Sequence, residues 1–344
     1  MPRSCAPKSN PQRTPRVYPG DPSKLAAPSP TLTDRLLGFV ARTYDLSNTQ
    51  PVRLGGSFNL NVRIGEHVVR VYGPWVTSER VQEIQRVRRL LTTRGIPTPA
   101  LRATRAGAFS CTFADCVIEV ETYVAGTPMQ SWTQLQLGMR TLGQLHTYMA
   151  NLDSAIPPPI ANHLPEELAF AATEDVLQVI AAWGPTAQEK RFAAAIAKLA
   201  VMLPILDLPI QLVHGDFKDN NVLFQTNNLM AVLDFDFMGV RPRIDDLALP
   251  LHTLLQRGEQ LSRVRTLVDA YDRGCAVPLS PQERRALPFA MARMALSYLQ
   301  YLMLPGDEAY QAHCRQEFNT SRGPACLWWL QALQDPALRE NGFV

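Results

Sequence analysis

No stretch of the 344-residue chain approaches the roughly 18 consecutive apolar residues that a membrane-spanning helix needs. Strong charge of either sign is also missing. The 34 Lys and Arg nearly balance the 31 Asp and Glu, leaving a net +3, too little to grip nucleic acid or a lipid surface. Cysteine is scarce, and none of Cys5, Cys111, Cys116, Cys275, Cys314 and Cys326 forms a C-x-x-C pair. No His/Cys/Glu set has zinc spacing. Cys111 and Cys116 are near enough in sequence to bridge, but scattered cysteines of this kind read as reduced thiols in a cytoplasmic protein. Residues 1–30 almost lack large apolar side chains and are rich in Pro, Ser, Lys and Arg. Such a segment cannot bury enough surface to offset its ordering entropy and is expected to be a disordered tail. It also lacks the apolar core of a secretory signal. No internal repeat is present.

The chain as a whole is 46% hydrophobic and 19% charged, an ordinary globular composition long enough for two lobes. Leu36, Leu37, Val40 and Ala41 recur at helical spacing within 32–44. The period then shortens. Val52, Leu54, Phe58, Leu60, Val62 and Ile64 alternate around Gly55-Gly56, and 68–72 reads as a third strand. Residues 77–93 read as a helix whose stripe is Val81, Ile84, Val87, Leu90 and Leu91, with Arg80, Arg86 and Arg89 outside it; Gly95, Pro97 and Pro99 stop it. A hairpin follows, 109–113 and 117–124. Residues 50–124 therefore predict a five-stranded antiparallel sheet with one helix. Beyond Gly126 the pattern is helical, except for short apolar runs at 210–213, 222–224 and 230–233. The order predicts an α+β chain of two lobes, 31–124 and 125–344, with a ligand cleft between them.

One segment carries chemistry. His214-Gly215-Asp216 is followed by Asn221, and Asp234-Phe235-Asp236 closes the next apolar run. Phosphoryl transfer needs one carboxylate to orient a hydroxyl and oxygen ligands to hold Mg²⁺ on the phosphates. Asp216 suits the first role; Asn221 and Asp234 suit the second. Asp236 serves equally as a metal helper or a strand end.

H-G-D-x-x-x-x-N followed by D-F-D resembles the aminoglycoside phosphotransferase family, which also takes in choline, ethanolamine and type II homoserine kinases. The resemblance spans about residues 50–305. It implies a bilobal protein-kinase-like fold that moves the γ-phosphoryl group of ATP or GTP, with Mg²⁺, onto a small-molecule hydroxyl. It implies that Asp216 is catalytic and that Asn221 and Asp234 hold metal. His214 and Asp246 of Asp245-Asp246-Leu247-Ala248 would support the loop. Gly55, Gly56, Ser57 and Asn59 would form the nucleotide loop, and Arg70 would reach the α/β-phosphates. Glu83 would pair with Arg70, with Glu79 as the competing partner. The main chain of Thr122 and Val124 would hold the base. Glu121 would face the back of the base pocket, where relatives have an apolar residue, leaving a guanine preference open. Lys218 is either a γ-phosphate contact or a solvated loop lysine.

Other features read as structure. His146 lies on an inner helix face, and the Tyr298, Tyr301, Tyr310 and Trp328-Trp329 aromatics read as core rather than as a cage for a quaternary ammonium. The acids Glu166, Glu167, Glu174, Asp175, Asp307 and Glu308 could line a pocket for a polycation or could be solvated surface. The acceptor stays open among an antibiotic, an amino alcohol, a sugar and a biosynthetic intermediate, with homoserine- and choline-type kinases as the alternative. An inactive nucleotide-binding regulator is disfavoured by the intact Asp216, Asn221 and Asp234. A protein kinase is disfavoured because no arginine stands between His214 and Asp216 and no D-F-G is followed by A-P-E.

Overall fold

The computed structural model describes residues 30–46, 49–55, 58–152, 166–204, 207–303, 308–339 and 343. Residues 1–29 of the predicted tail, Gly56, Ser57 and Asp307 lie outside this set, as do the side chains of Glu166, Glu167 and Tyr301.

α1 (Asp34–Tyr44) opens the described chain. The Thr33 side chain accepts from the Leu36 amide and so satisfies one orphan donor of the first turn. Six strands then build one antiparallel sheet: β1 (Val52–Arg53), β2 (Leu60–Ile64), β3 (His67–Val71), β4 (Leu101–Arg102), β5 (Ser110–Phe113) and β6 (Cys116–Thr122). The order is β1-β2-β3-β6-β4, with β5 also paired to β6. The sheet has one strand more than predicted. β4 is only two residues long, and its Leu101–Arg102 pair is too brief to show alternation. Phe113 pairs with Cys116 while Cys111 pairs with Ile118, and both thiols are free.

α2 (Ser78–Thr93) follows β3 in the chain, capped by the Thr77 hydroxyl. Its stripe is shared between two cores: Val81 clusters with Tyr72, Val76 and Val117 of β6 beside the sheet. Ile84, Val87 and Leu91 join the large helical core, whereas Val62, Val69, Val71, Ile118 and Val120 pack against α1 in a separate cluster. The helix thus ties the sheet to the helical half of the chain.

That half begins with β7 (Thr127–Pro128) and α3 (Trp132–Met149), whose Ser131/Gln134 capping box satisfies donors at its first turn. α4 (Glu166–Ala182) and α5 (Ala187–Met202) follow. Four short strands come next: β8 (Ile210–Val213), β9 (Val222–Gln225), β10 (Asn228–Val232) and β11 (Gly239–Pro242). β10-β9-β7 make one small sheet and β11-β8 another. β11 pairs in register with β8 (Gly239 with Val213, Pro242 with Ile210), so the chain between them is anchored at both ends. α6 (Ile244–Gln256), α7 (Leu261–Gly274), α8 (Pro281–Ser297), α9 (Glu308–Glu317), α10 (Gly323–Ala332) and α11 (Pro336–Arg339) complete the fold, with a π turn at Phe318–Arg322 between α9 and α10. The result is an α+β bilobal kinase-like fold.

Candidate active site

The segment from β8 to α6 is held from below by one buried carboxylate. Asp246, in the first turn of α6, accepts the amides of His214 and Gly215 on separate oxygens, each at 2.7 Å. Its Oδ2 also meets His146 Nε2 at 3.0 Å. Burial works against its charge, but the His146 hydrogen bond, with His214 and Arg241 nearby, outweighs it and holds the carboxyl at about 2. Gly215 has φ +85°, and a Cβ there would lie 2.0 Å from the Phe237 carbonyl oxygen. Only glycine fits this turn.

His214 is fully buried. Its Nε2 donates to the Leu233 carbonyl at 2.9 Å, and its Nδ1 accepts the Asp216 amide at 3.2 Å. That fixes the neutral tautomer, and burial lowers its pKa. Phe217 and Phe235 pack against its ring. The imidazole therefore braces the backbone of two segments at once.

Asp216 is 2% exposed. Asn221 donates its Nδ2 both to the Asp216 carbonyl (2.8 Å) and to its Oδ2 (3.0 Å), and Lys218 Nζ lies 2.8 Å from the same oxygen. Burial pushes the Asp216 carboxyl up to about 7, with Lys218 opposing and Asp234 adding to the rise. Because the Asn221 nitrogen is spent on Asp216, its amide oxygen is the group left for another partner.

Asp234 sits in the left-handed region at φ 62°. Arg70 Nη2 meets Asp234 Oδ1 at 2.6 Å and Asp236 Oδ2 at 2.8 Å. Burial opposes the Asp234 charge, yet the Arg70 guanidinium holds its pKa below the usual range. Asp236 is raised to about 6, chiefly by burial.

These contacts correct two expectations. Arg70 does not pair with Glu83. Its guanidinium is claimed by Asp234 and Asp236, while Glu83 lies 3.5 Å from Arg80 and 3.9 Å from Arg86 on its own helix. Glu79 is exposed beside the Thr77 cap. Arg80 was placed outside the helix stripe, but it is 1% exposed and donates to the Asp236 (3.0 Å) and Met238 (2.5 Å) carbonyls. A guanidinium goes inside when carbonyls and a carboxylate meet it there.

Asn59 is not an open member of a phosphate loop. Its Nδ2 donates to Asp236 Oδ2 and its Oδ1 accepts the Gly73 amide at 3.2 Å. Gly55 lines the cavity, and a Cβ there would meet nothing within 4 Å. The Thr122 amide is spent on the Ala100 carbonyl and the Tyr123 amide on Glu66, each at 2.8 Å. The Val124 amide, past the end of β6, is engaged by none of the described residues.

A further network lay unrecognised in the sequence. Arg88 of α2 reaches across to β6. It donates to Glu119 at 2.8 Å, to Glu121, and to the Pro99 carbonyl at 2.9 Å. Glu119 is 0% exposed and also accepts from Tyr72 and Gln85, each at 2.9 Å. The signal was Glu119 and Glu121 at i, i+2 within the apolar run of β6. Two acids on one face of a buried strand demand a buried cation.

One cavity of about 490 Å³ gathers Gly55, Arg70, Glu121, Thr122 and Val124 from the sheet side with Asp216, Lys218, Asn221 and Asp234 from the helical side. Glu83 and Asn59 are outside its walls. Among the described residues no group of three or more His, Cys, Asp or Glu could hold a metal by itself, and no helix is long and apolar enough to cross a membrane.

A fold of this kind, with two carboxylates and an asparagine around a deep cleft between a sheet and a helical half, defines a phosphotransferase. The model of the phosphotransferase enzyme family matches residues 49–289, and the chain belongs to that family. It is an enzyme that transfers phosphate to a small molecule. A homoserine kinase of Caulobacter vibrioides (strain NA1000 / CB15N) is 24% identical over 292 residues, covering 78% of this chain and 86% of its own. Two solved structures share the fold at TM-score 0.62. One is the amicoumacin kinase hAmiN in complex with AMP-PNP, Ca²⁺ and Ami (14% identity, 84% of this chain, 93% of that one). The other is a microcompartment-associated aminopropanol kinase (16% identity, 91% and 99%).

Proposed function

We propose that the chain transfers the γ-phosphoryl group of ATP or GTP directly to a hydroxyl, with Asp216 as the catalytic carboxylate. The observation that carries this reading is the single cavity in which Asp216, Asn221 and Asp234 face the β6 hinge. The acceptor oxygen forms a bond to the γ-phosphorus as the bond to the β–γ bridging oxygen breaks. The hydroxyl proton goes to Asp216, and the nucleoside diphosphate leaves. Burial has already raised the Asp216 carboxyl toward neutrality, which makes it a competent proton acceptor near pH 7. Lys218, beside the same carboxylate, supplies a cation for the charge that develops on the transferring group.

The Asn221 amide oxygen and the Asp234 carboxylate fit a hard divalent ion. Both are oxygen donors, and Mg²⁺ asks for one or two carboxylates with the rest from phosphate and water. Such an ion would neutralise phosphate charge there. The neighbouring kinase bound to AMP-PNP and Ca²⁺ supports this assignment. His214 and Asp246 are positioning residues, since both act on loop backbone. The base would sit against Val124, with the Glu121 carboxylate at its rear. On this reading 31–124 is the nucleotide-binding lobe, and 125–344 carries the catalytic loop and the acceptor.

The test is nucleotide consumption across aminoglycosides, amino alcohols and homoserine, with Asp216→Asn as the blank. Turnover that depends on an acceptor and vanishes in the blank supports the reading. An Asn variant as active as the wild type refutes it.

A further inference from the structure

We propose that the Glu121 carboxylate selects the base of the nucleotide. It accepts a hydrogen bond from a 6-amino group and turns away a 6-oxo group, so the enzyme takes adenine nucleotides and rejects guanine nucleotides. The inference rests on the phosphotransferase reading and decides between the two nucleotides that reading leaves open. Three observations carry it.

The first is where the carboxylate stands. Val68 of β3 pairs with Glu121 of β6, and Arg70 pairs with Glu119. Cross-strand partners share a face of the sheet, and so do residues two apart on one strand. All four side chains therefore lie on one face. Val68 and Glu121 line the 490 Å³ cavity together with Leu54, and Leu223 and Leu233 line it from the helical half. Four aliphatic side chains make an apolar slot for a flat ring. Glu121, 8% exposed and held by Arg88 of α2, is the one acid among them.

The second is that this end of the slot accepts and does not donate. Arg88 Nη2, the nitrogen that meets Glu121 Oε2, also donates to the Pro99 carbonyl at 2.9 Å, so both of its hydrogens are spent. Arg88 Nη1 is engaged by Glu119 at 2.8 Å. Arg70 Nη2 is committed to Asp234 and Asp236. Glu121 Oε1 meets no donor among the described residues and is the atom left to face a base.

The third is the complementary group. The Val124 amide, three residues on, belongs to the same cavity wall and is engaged by none of the described residues. The slot thus offers an acceptor at Glu121 and a donor at Val124. Adenine answers this pair with its 6-amino donor beside the N1 acceptor. Guanine carries the reverse, a 6-oxo acceptor beside an N1–H donor. Seated in the same way, guanine would set its oxygen against the carboxylate and leave two acceptors with no proton between them in a desolvated slot.

The experiment needs no acceptor substrate. Titration calorimetry on the full chain with Mg²⁺ compares four nucleoside diphosphates, those of adenine, 2,6-diaminopurine, guanine and hypoxanthine. The two 6-amino bases should bind alike, and the two 6-oxo bases about tenfold to a hundredfold more weakly. Hypoxanthine lacks the 2-amino group, so it separates the 6-position from a clash at the 2-position. Glu121→Gln brings an amide donor to the same place and should narrow the ADP-to-GDP ratio about tenfold or more. GDP or IDP bound as tightly as ADP by the wild type overturns the proposal, and so does an unchanged ratio in the Gln variant. If that variant does not fold, the four wild-type constants decide alone. If ADP and GDP bind equally well, the base assignment falls and the phosphotransferase reading stands. If none of the four binds, both fall.

Discussion

Replacing Asp216 by Asn should make the nucleotide-free protein more stable while it destroys turnover. The magnitude comes from the burial of one charge. Asp216 titrates at about 7 in place in the fold, against an ordinary 3.8. That is roughly three units, or at most about 4 kcal/mol at 1.36 kcal/mol per unit. Asn keeps an oxygen for the Asn221 amide but brings an NH₂ group that must itself be accommodated, so roughly 2–4 kcal/mol is expected. The sign follows from the raised pKa. As pH climbs from about 4 to about 7, the unfolded chain gives up this proton while the folded chain keeps it, so wild-type stability falls across that window and is flat above it. The advantage of Asn should therefore be absent near pH 4, grow to pH 7, and hold at pH 8. Urea or thermal denaturation of both proteins at pH 5, 6 and 8, with chelator present, reads the difference, and at pH 8 the midpoint should rise by several degrees. A variant no more stable than the wild type at pH 8, or a gain that ignores pH, refutes the reasoning.

Lys218→Met removes the ammonium that lowers the Asp216 pKa; the acidic limb of the pH–rate profile should move to higher pH, and an unmoved limb would show that the two do not interact in the working enzyme. Arg88→Leu strands Glu119 and Glu121 in the interior and should cost about 3–5 kcal/mol by denaturant titration. Its deficit should shrink on going from pH 8 to pH 5.5, because burial already raises the Glu121 carboxyl and, without Arg88 to oppose it, that group can then take up a proton. Gly215→Ala places a methyl 2.0 Å from the Phe237 carbonyl at φ +85° and should cost at least about 1–3 kcal/mol in strain; full activity with an unchanged midpoint would mean that the turn can shift freely.

The readable parts of this fold are those set by local spacing. α2 and α3 announced themselves through apolar residues at helical spacing; the Thr77 and Ser131 hydroxyls that cap their first turns came from the structure. β2, β3 and β6 showed themselves as apolar runs broken by turns. The loop from His214 to Asn221 was legible because its chemistry needs fixed intervals along the chain. β4, β7 and β11 were not legible. Two to four residues cannot display a period, and their pairing partners lie far away in sequence. Charge pairing was the hardest to read, for a related reason. Helical spacing alone puts Arg80 and Arg88 near other residues of α2, and nothing local says that one will turn to the Asp236 and Met238 carbonyls and the other to Glu119. The position of Glu83 offered an obvious partner for Arg70, but a guanidinium settles where the most anionic oxygen converges. That place was built by Asp234 and Asp236, more than 160 residues away.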